Sequence, residues 1–318
     1  MSIASTFTES LTKAIRSLEI GKTGIRNIDN RFINLPKNQL QEEIKTPRPR
    51  RIFAILEAIR RNWPIEDIAS LSKVDLWFLR EIEKSFNVNP ESTPVSILKM
   101  LGWTDEDVDS KEIKDDLENK RAYKLVDTCS AEFLSKTPYL YSTFGTSDDD
   151  SASKNKKVVV IGSGPNRIGQ GIEFDYCCVH GVESLKENNY EAIMINSNPE
   201  TVSTDYDTAD KLYFEPLSWD EVKAVLAREK PDSVIIQLGG QTPLKLADKI
   251  SSAGYKIAGS SLDVIDATED RDLFQKLCLS LNIDQPKSKI SFNEDELISA
   301  VKEITYPVLL RPSYVLGG

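Results

Sequence analysis

The chain has 318 residues, enough for two domains with separate cores, and its 40% hydrophobic and 28% charged content is ordinary for a soluble globular protein. A net charge of -10 repels a phosphate polymer and so excludes broad nucleic-acid binding, while no apolar run approaches the roughly 20 residues that cross a bilayer. Glu9 and Glu19 break the basic character of the N-terminus and no apolar signal core follows, so the cytoplasm is the expected compartment.

Residues 1–150 read as all-helical. In FTESLTKAIRSLEIG, Phe7, Leu11, Ile15 and Leu18 recur at helical spacing and Gly21 supplies a stop. A polar, proline-broken stretch runs to Pro49. RIFAILEAIRRNW then carries Ile52, Ile55, Leu56 and Ile59 on one face and ends before Pro64, which can open the short helix PIEDIASLS. The third helix, SKVDLWFLREIEKSF, has Val74, Trp77, Phe78 and Ile82 as its expected buried stripe. IEDIAS and this helix can also be drawn as a helix-turn-helix, with Arg48, Arg50, Arg51, Arg60 and Arg61 near phosphate. Asp75, Glu81 and Glu83 on the reading helix would repel DNA, so helical packing is preferred.

Val95 to Trp103 forms a short helix, an acid-rich segment follows, and KLVDTCSAEFLSKTPYLYSTF reads as an irregular buried connector. The polar stretch at 145–156 is the expected domain linker. Beyond it, strands and helices alternate. Strands are expected at 157–161, 191–196, 211–214, 233–237 and 256–258, and helices near 172–188, 219–228, 243–253 and 270–281. Right-handed crossovers make the sheet parallel and cover both its faces. Thr242 is the expected N-cap and Pro243 the first residue of a helix in GGQTPLKLADKI. The final 36 residues place two strands, SKISF and YPVLLRPSYVLGG, around the helix NEDELISAVKEI; with no hairpin partner for the last strand, the sequence is expected to be a fragment.

The stretch VVVIGSGPNRIGQGIEFDYCCVHG, residues 158–181, is the candidate site. A β-branched strand breaks into a glycine turn and restarts as a helix, which puts the turn at the carboxyl end of a strand, where open α/β sheets hold ligands. Two phosphate motifs fail there. Arg167 stands where the dinucleotide fingerprint needs a small residue, and the next strand ends in Asn196-Ser197-Asn198 with no acid for a ribose. Gly164 and Gly169 have the P-loop spacing, but Gln170-Gly171 replaces its Lys-Ser/Thr. On pattern alone the glycines serve equally as a bare strand-to-helix turn. The four cysteines, Cys129, Cys177, Cys178 and Cys278, form no C-x-x-C pair and His180 is the only histidine, which disfavours a zinc site or a histidine-based nucleophile; buried reduced thiols are expected.

GSGPNRIGQGIEFDYCCVH, NSNPETVSTDYDTADKLYFEP, QLGGQTPLKLA, EDRDLFQ and YPVLLRPSYVLGG, in this order and spacing, resemble the large subunit of carbamoyl phosphate synthetase. FTESLTKAIRSLE, LWFLREIE and KLVDTCSAEF are similar to the helical oligomerisation domain between its two synthetase halves, whereas residues 87–120 depart from the family's longer segment. The resemblance implies a multidomain chain: an all-α oligomerisation domain at 1–144, with 1–20 the tail of the first half, the linker at 145–156, a Rossmann-like α/β pre-ATP-grasp domain at 157–282, and the truncated start of an ATP-grasp domain at 283–318.

It further implies an ATP-dependent ligase that makes carbamoyl phosphate from bicarbonate, glutamine-derived ammonia and two ATP, for pyrimidine and arginine biosynthesis. The cofactors would be ATP with Mg2+ or Mn2+ and K+, their metal ligands outside this chain. The partners would be a small glutamine amidotransferase subunit and further copies of the helical domain. Arg167, Gly171, Glu173 and Glu200 fall on positions lining the carbamate tunnel, and Arg311, Arg271, Gly317 and Gly318 on the edge of the second ATP site. The plain alternatives are a helix-dipole acid for Glu173, a loop acid for Glu200, a surface ion pair for Arg167 and a helix-surface charge for Arg271. By this reading the isolated chain does not turn over ATP. A non-catalytic oligomerisation scaffold is the competing class, and a nicotinamide oxidoreductase a distant third.

Overall fold

In the computed structural model, which describes residues 1–108, 121–134, 136–166 and 171–310, the chain opens on helix α1 (Phe7–Ser17), whose N-terminus is capped by Thr6 accepting from the Glu9 amide. α2 (Asn30–Ile33) and α3 (Lys37–Lys45) lie in the stretch expected to be polar and irregular. The overlooked signal was the four-residue spacing of Leu40 and Ile44, both fully buried.

α4 (Arg51–Arg60) is the centre of the helical region: every residue from Phe53 to Ile59 is buried. Around it pack α2, α3, α5 (Ile65–Ser72) and α6 (Leu76–Asn87), while α7 (Val95–Met100) lies against α1 with a small core of its own. Pro64 stands at the cap position of α5, one place before the helix it was expected to open. The stripe of α6 also differs from expectation. Leu79 and Ile82 face the core, while Trp77 is 54% and Phe78 41% exposed and both lie against Phe7, at ring separations of 5.7 and 5.0 Å. Asp75 sets the start of α6 by accepting from the Trp77 amide, and packing on α4 and α5 then selects its face. All five arginines of the helix-turn-helix alternative are engaged within the chain. Arg48 pairs with Glu43, Arg50 with Asp29, Arg60 and Arg61 with the fully buried Glu57, and Arg51 donates to the Ile44 and Ser72 carbonyls.

Three valines and an isoleucine make β3 (Lys157–Ile161) a wholly buried strand. It pairs in parallel with β4 (Glu191–Asn196) and β6 (Ser233–Ile235), and β4 pairs with β5 (Lys211–Phe214). Side chains alternate between the two faces. Val159, Ile161, Ile193 and Ile195 meet α9 (Trp219–Glu229), α11 (Ala247–Ser252) and α12 (Leu262–Glu269), while Val160, Ala192 and Met194 meet α8 (Glu173–Glu187). The expected strand at 256–258 is reduced to a single bridge from Ile257 to Val234, and the helix expected at 243–253 divides into α10 (Gln241–Leu244) and α11. Thr242 is not the cap of α10; that position is Gly240, at φ 76°.

The largest correction lies at 121–144. In place of an irregular connector in an all-helical region, β1 (Arg121–Leu125) and β2 (Tyr139–Phe144) form an antiparallel pair, and β2 runs parallel to β5. The sheet order among the described residues is β1-β2-β5-β4-β3-β6. Tyr123 sits edge-on to Tyr213 at 5.3 Å, so aromatic packing across the sheet decides an assignment that local periodicity left open. The polar stretch at 145–156 therefore joins two strands of one sheet.

α13 (Arg271–Ser280) and α14 (Glu294–Ile304) complete the described chain. Residues 311–318 lie outside those described; the strand expected at 288–292 and the described part, 306–310, of the one expected at 306–318 are absent. No neighbouring strand meets their backbone there, and Phe292 and Leu309 are 89% and 91% exposed. No helix among the described residues is long and apolar enough to cross a membrane.

α1 joins the helical region to the sheet through buried charge. Lys13 Nζ donates to the Ser142 carbonyl at 2.6 Å and pairs with Glu215 at 3.0 Å, both side chains at most 5% exposed. One turn on, Arg16 pairs with Glu221 of α9. Burial would raise the Glu221 carboxyl, but the Arg16 and Arg121 guanidiniums outweigh it and hold it below the usual carboxylate range. Its neighbour Asp220 goes the other way: burial, then the Glu221 and Asp105 carboxylates, push it up to about 6.

Removing one partner of a buried pair leaves the other charge unsolvated. Lys13→Met is therefore expected to lower stability by about 3–5 kcal/mol in urea unfolding. A carboxyl whose folded pKa is raised stabilises fully below its unfolded value of 3.8, and that contribution is lost as pH rises through about 6. Asp220→Asn should then stabilise the chain at pH 7, by on the order of 1 kcal/mol after allowing for water at this half-buried side chain. It should also flatten the decline in urea midpoint between pH 4 and pH 7.

Candidate functional site

The adjacency of β4, β3 and β6 brings the loops at their carboxyl ends side by side. The Gly162 amide extends the ladder to the Ile195 carbonyl at 2.9 Å, after which the chain turns at Gly164 with φ 71°. A side chain at Gly162 would stand 2.6 Å from the Asn196 amide nitrogen, and one at Gly239 would run into the carbonyls of Ile161 and Gly162. Glycine is required at both positions because two backbones, or a backbone and a buried amide, touch there.

Asn196 organises the turn. Fully buried at the end of β4, its Oδ1 accepts from the amides of Gly164 at 3.1 Å, Ser197 at 2.8 Å and Asn198 at 3.3 Å. These are the kind of amides that would otherwise face a phosphate. The failure of the dinucleotide fingerprint at Asn196 thus has a structural counterpart: the side chain found in place of a ribose acid takes up the turn's donors.

Gly171 and Glu173 are exposed at the start of α8, and a side chain at Gly171 would collide with the Glu173 carboxylate. Asp175, in the first turn of α8, accepts from the Ser203 amide at 3.3 Å and so ties this helix to the loop after β4. On that loop Glu200 is exposed, its amide donating to Asn198 Oδ1 at 3.0 Å. Glu200 also borders a cavity of about 400 Å3 with Pro165, Asn166, Asn198, Ser17 of α1 and Leu18, which closes that helix. Gly171 and Glu200 therefore lie on the connections that follow adjacent strands, with Glu173 at the first residue of α8.

Arg271 is the first residue of α13, exposed, in a helix capped by Asp270 accepting from the Asp272 and Leu273 amides. Glu269, two residues earlier, accepts from Gln241 at 2.9 Å, so the chain leading to Arg271 passes the β6–α10 loop. Arg167, Arg311, Gly317 and Gly318 lie outside the described residues. Among the described residues no cluster of His, Cys, Asp and Glu has the arrangement of a metal site. Cys178 and Cys278 are buried as expected, with burial pushing the Cys178 thiol up to about 12; Cys177, by contrast, is exposed.

Residues 1–109 match the family model described as the oligomerisation domain of the carbamoyl phosphate synthetase large chain, 154–267 its pre-ATP-grasp domain and 270–318 its ATP binding domain. The whole chain aligns at 43% identity over 341 residues with the carbamoyl phosphate synthase large chain of Archaeoglobus fulgidus and at 45% over 336 residues with that of Clostridium acetobutylicum. The chain belongs to the carbamoyl phosphate synthase large-chain family. It covers 32% and 31% of those two relatives, and 30% of the arginine-specific, chloroplastic large chain of Arabidopsis thaliana, to which it is 43% identical. Within this chain, the residues that sequence reasoning missed as organisers are Asn196 and Gly239. The available signal was a buried-type strand ending in a polar Asn opposite a glycine turn.

Asn196→Ala would strip one acceptor from three buried amides and is expected to cost about 2–3 kcal/mol in thermal or urea unfolding. Asn196→Asp, which keeps the acceptor oxygen, should cost less.

Proposed function

We propose that this chain supplies three parts of a carbamoyl phosphate synthase. Helices α1–α7, within residues 1–100, form the helical oligomerisation region, with 1–20 continuing from a preceding synthetase half; 157–282, whose sheet β1 and β2 extend, carry a wall of the carbamate passage; and 283–318 begin the second ATP-grasp domain. The observation that carries the passage reading is the occupation of the Gly164, Ser197 and Asn198 amides by Asn196. Such a turn offers a phosphate few donors, whereas a closed backbone edged by small residues suits the passage of a small molecule. Glu173 and Glu200 add carboxylates to that edge, and by the family resemblance Arg167 would bring a guanidinium. Acids beside a path weaken adhesion of an anion, which favours transit over retention.

ATP, when bound, supplies the phosphoryl group for carbamate. Arg271 is exposed and forms no ion pair with the described residues, so its guanidinium is available to a phosphate; Arg311 would be the second cation, beside the Gly317-Gly318 loop. Phosphoryl transfer rests on positioning and charge neutralisation, and Mg2+ or Mn2+ with K+ would be held in the complete enzyme by ligands elsewhere. Ammonia would come from a glutamine amidotransferase subunit, the helical region would meet other copies of itself, and the product would feed arginine and pyrimidine synthesis in the cytoplasm.

The purified 318-residue chain, about a third of its relatives' length, is expected to form no carbamoyl phosphate from ATP, bicarbonate and ammonia. In the full-length enzyme, Gly171→Val should lower carbamoyl phosphate formed per ATP consumed while leaving the KM for ATP unchanged. A raised KM for ATP with an unchanged product ratio would instead make this turn a nucleotide cradle.

A further inference from the structure

Helix α1 ends in a conformation that its sequence does not favour. Leu18 closes the helix at φ -71°, and Glu19 follows in the left-handed region at φ 51°, its amide donating to the Arg16 carbonyl at 3.0 Å. Glycine is the usual residue there, because any Cβ crowds the adjoining backbone. This chain's glycine comes two residues later, at Gly21. A glutamate held where glycine would be easier points to a demand on its side chain.

That side chain reaches two loops of the candidate site. Glu19 Oε2 accepts from the Thr242 hydroxyl at 3.1 Å, across 223 positions of sequence, and Oε1 lies 3.0 Å from where a Cβ on Gly164 would stand. Thr242 is in α10, after β6; Gly164 is in the turn after β3. The helix behind Glu19 cannot shift freely, since the Lys13–Glu215 and Arg16–Glu221 pairs fix it to the sheet one and two turns earlier. On the far side, Gly240 lies against the Phe174 ring of α8, and the Gly164 amide is held by Asn196.

We infer that Glu19 is a positioning residue whose carboxylate bonds the β6–α10 loop and packs against the turn after β3, bracing both from helix α1, so that the edge of the crevice keeps its shape only while the helical region is docked on the sheet. The bracing is a matter of geometry; its consequence for carbamate transit deepens, and rests on, the function proposed above. Through Glu19 the position of the oligomerisation region becomes a determinant of the site.

Hydrogen–deuterium exchange of the 318-residue chain separates this role from that of a helix cap. Glu19→Gly relieves the left-handed glutamate while removing the carboxylate. It is expected to raise amide exchange in residues 162–166 and 239–244 about tenfold or more, with β4 unchanged and the thermal midpoint level or higher. Thr242→Val, which removes only the donor, should raise exchange in 239–244 and spare α1. Exchange in both segments within twofold of the parent chain for Glu19→Gly, or a uniform rise that includes β4, would overturn the inference. In the full-length enzyme, Glu19→Gly should also lower carbamoyl phosphate formed per ATP consumed. Faster loop exchange with an unchanged ratio would uphold the bracing and overturn the passage reading instead.

Discussion

Burying Lys13 is the constraint on which the arrangement depends. An ammonium group that is 5% exposed needs its charge and its donors met inside the protein, and only one placement of α1 does so, with Nζ among Glu215, the Ser142 carbonyl and the Ser142 hydroxyl. Buried ion pairs add little net stability compared with apolar side chains of similar volume, yet a displaced helix would leave Glu215 buried and unpaired. The pair therefore specifies position more than it stabilises. Arg16 with Glu221 and Glu9 with Thr143 repeat the same logic one turn to either side.

Because α1 is held in this way, its far end arrives at the carboxyl edge of the sheet, where doubly wound folds place their ligands. The edge is built from mutual occupation. Asn196 satisfies the turn after β3, Glu19 meets the loop after β6, and Gly239 lets the two backbones touch. A turn so committed differs physically from a phosphate cradle, in which backbone donors must stay open for the ligand. Oppositely shifted carboxyls at Asp220 and Glu221 arise in the same interface, from one helix presenting two adjacent acids to a shared group of guanidiniums.

Most of the parallel sheet was legible. Strands 157–161, 191–196 and 211–214 and the helices after them follow from apolar runs and turn residues that are local properties of the chain. β1 and β2 were not, because Arg121, Tyr123 and Tyr141 show no clean alternation until β5 is beside them. The exposure of Trp77 and Phe78 was hidden for a related reason: helical spacing names a stripe, but which side of it meets α4 is set by packing. Of the candidate site, Gly171, Glu173 and Glu200 were named from the family resemblance and are found before α8, at its first residue and on the loop after β4, whereas Glu19 entered the sequence reading only as an acid at odds with a transit peptide.

By itself, then, the sequence determined the family, the run of helices ahead of a parallel sheet, and the glycine turn that marks its edge. These rest on local backbone preferences and on motif order, both of which survive without a folded partner. Only the tertiary structure decided that residues 121–144 extend the sheet, that Asn196 occupies the turn's amides, and that Glu19 and Thr242 meet across 223 positions. Hydrogen bonds and ion pairs between distant segments leave no periodic trace in the chain, since each partner satisfies its own local geometry and becomes informative only when burial forces the two together.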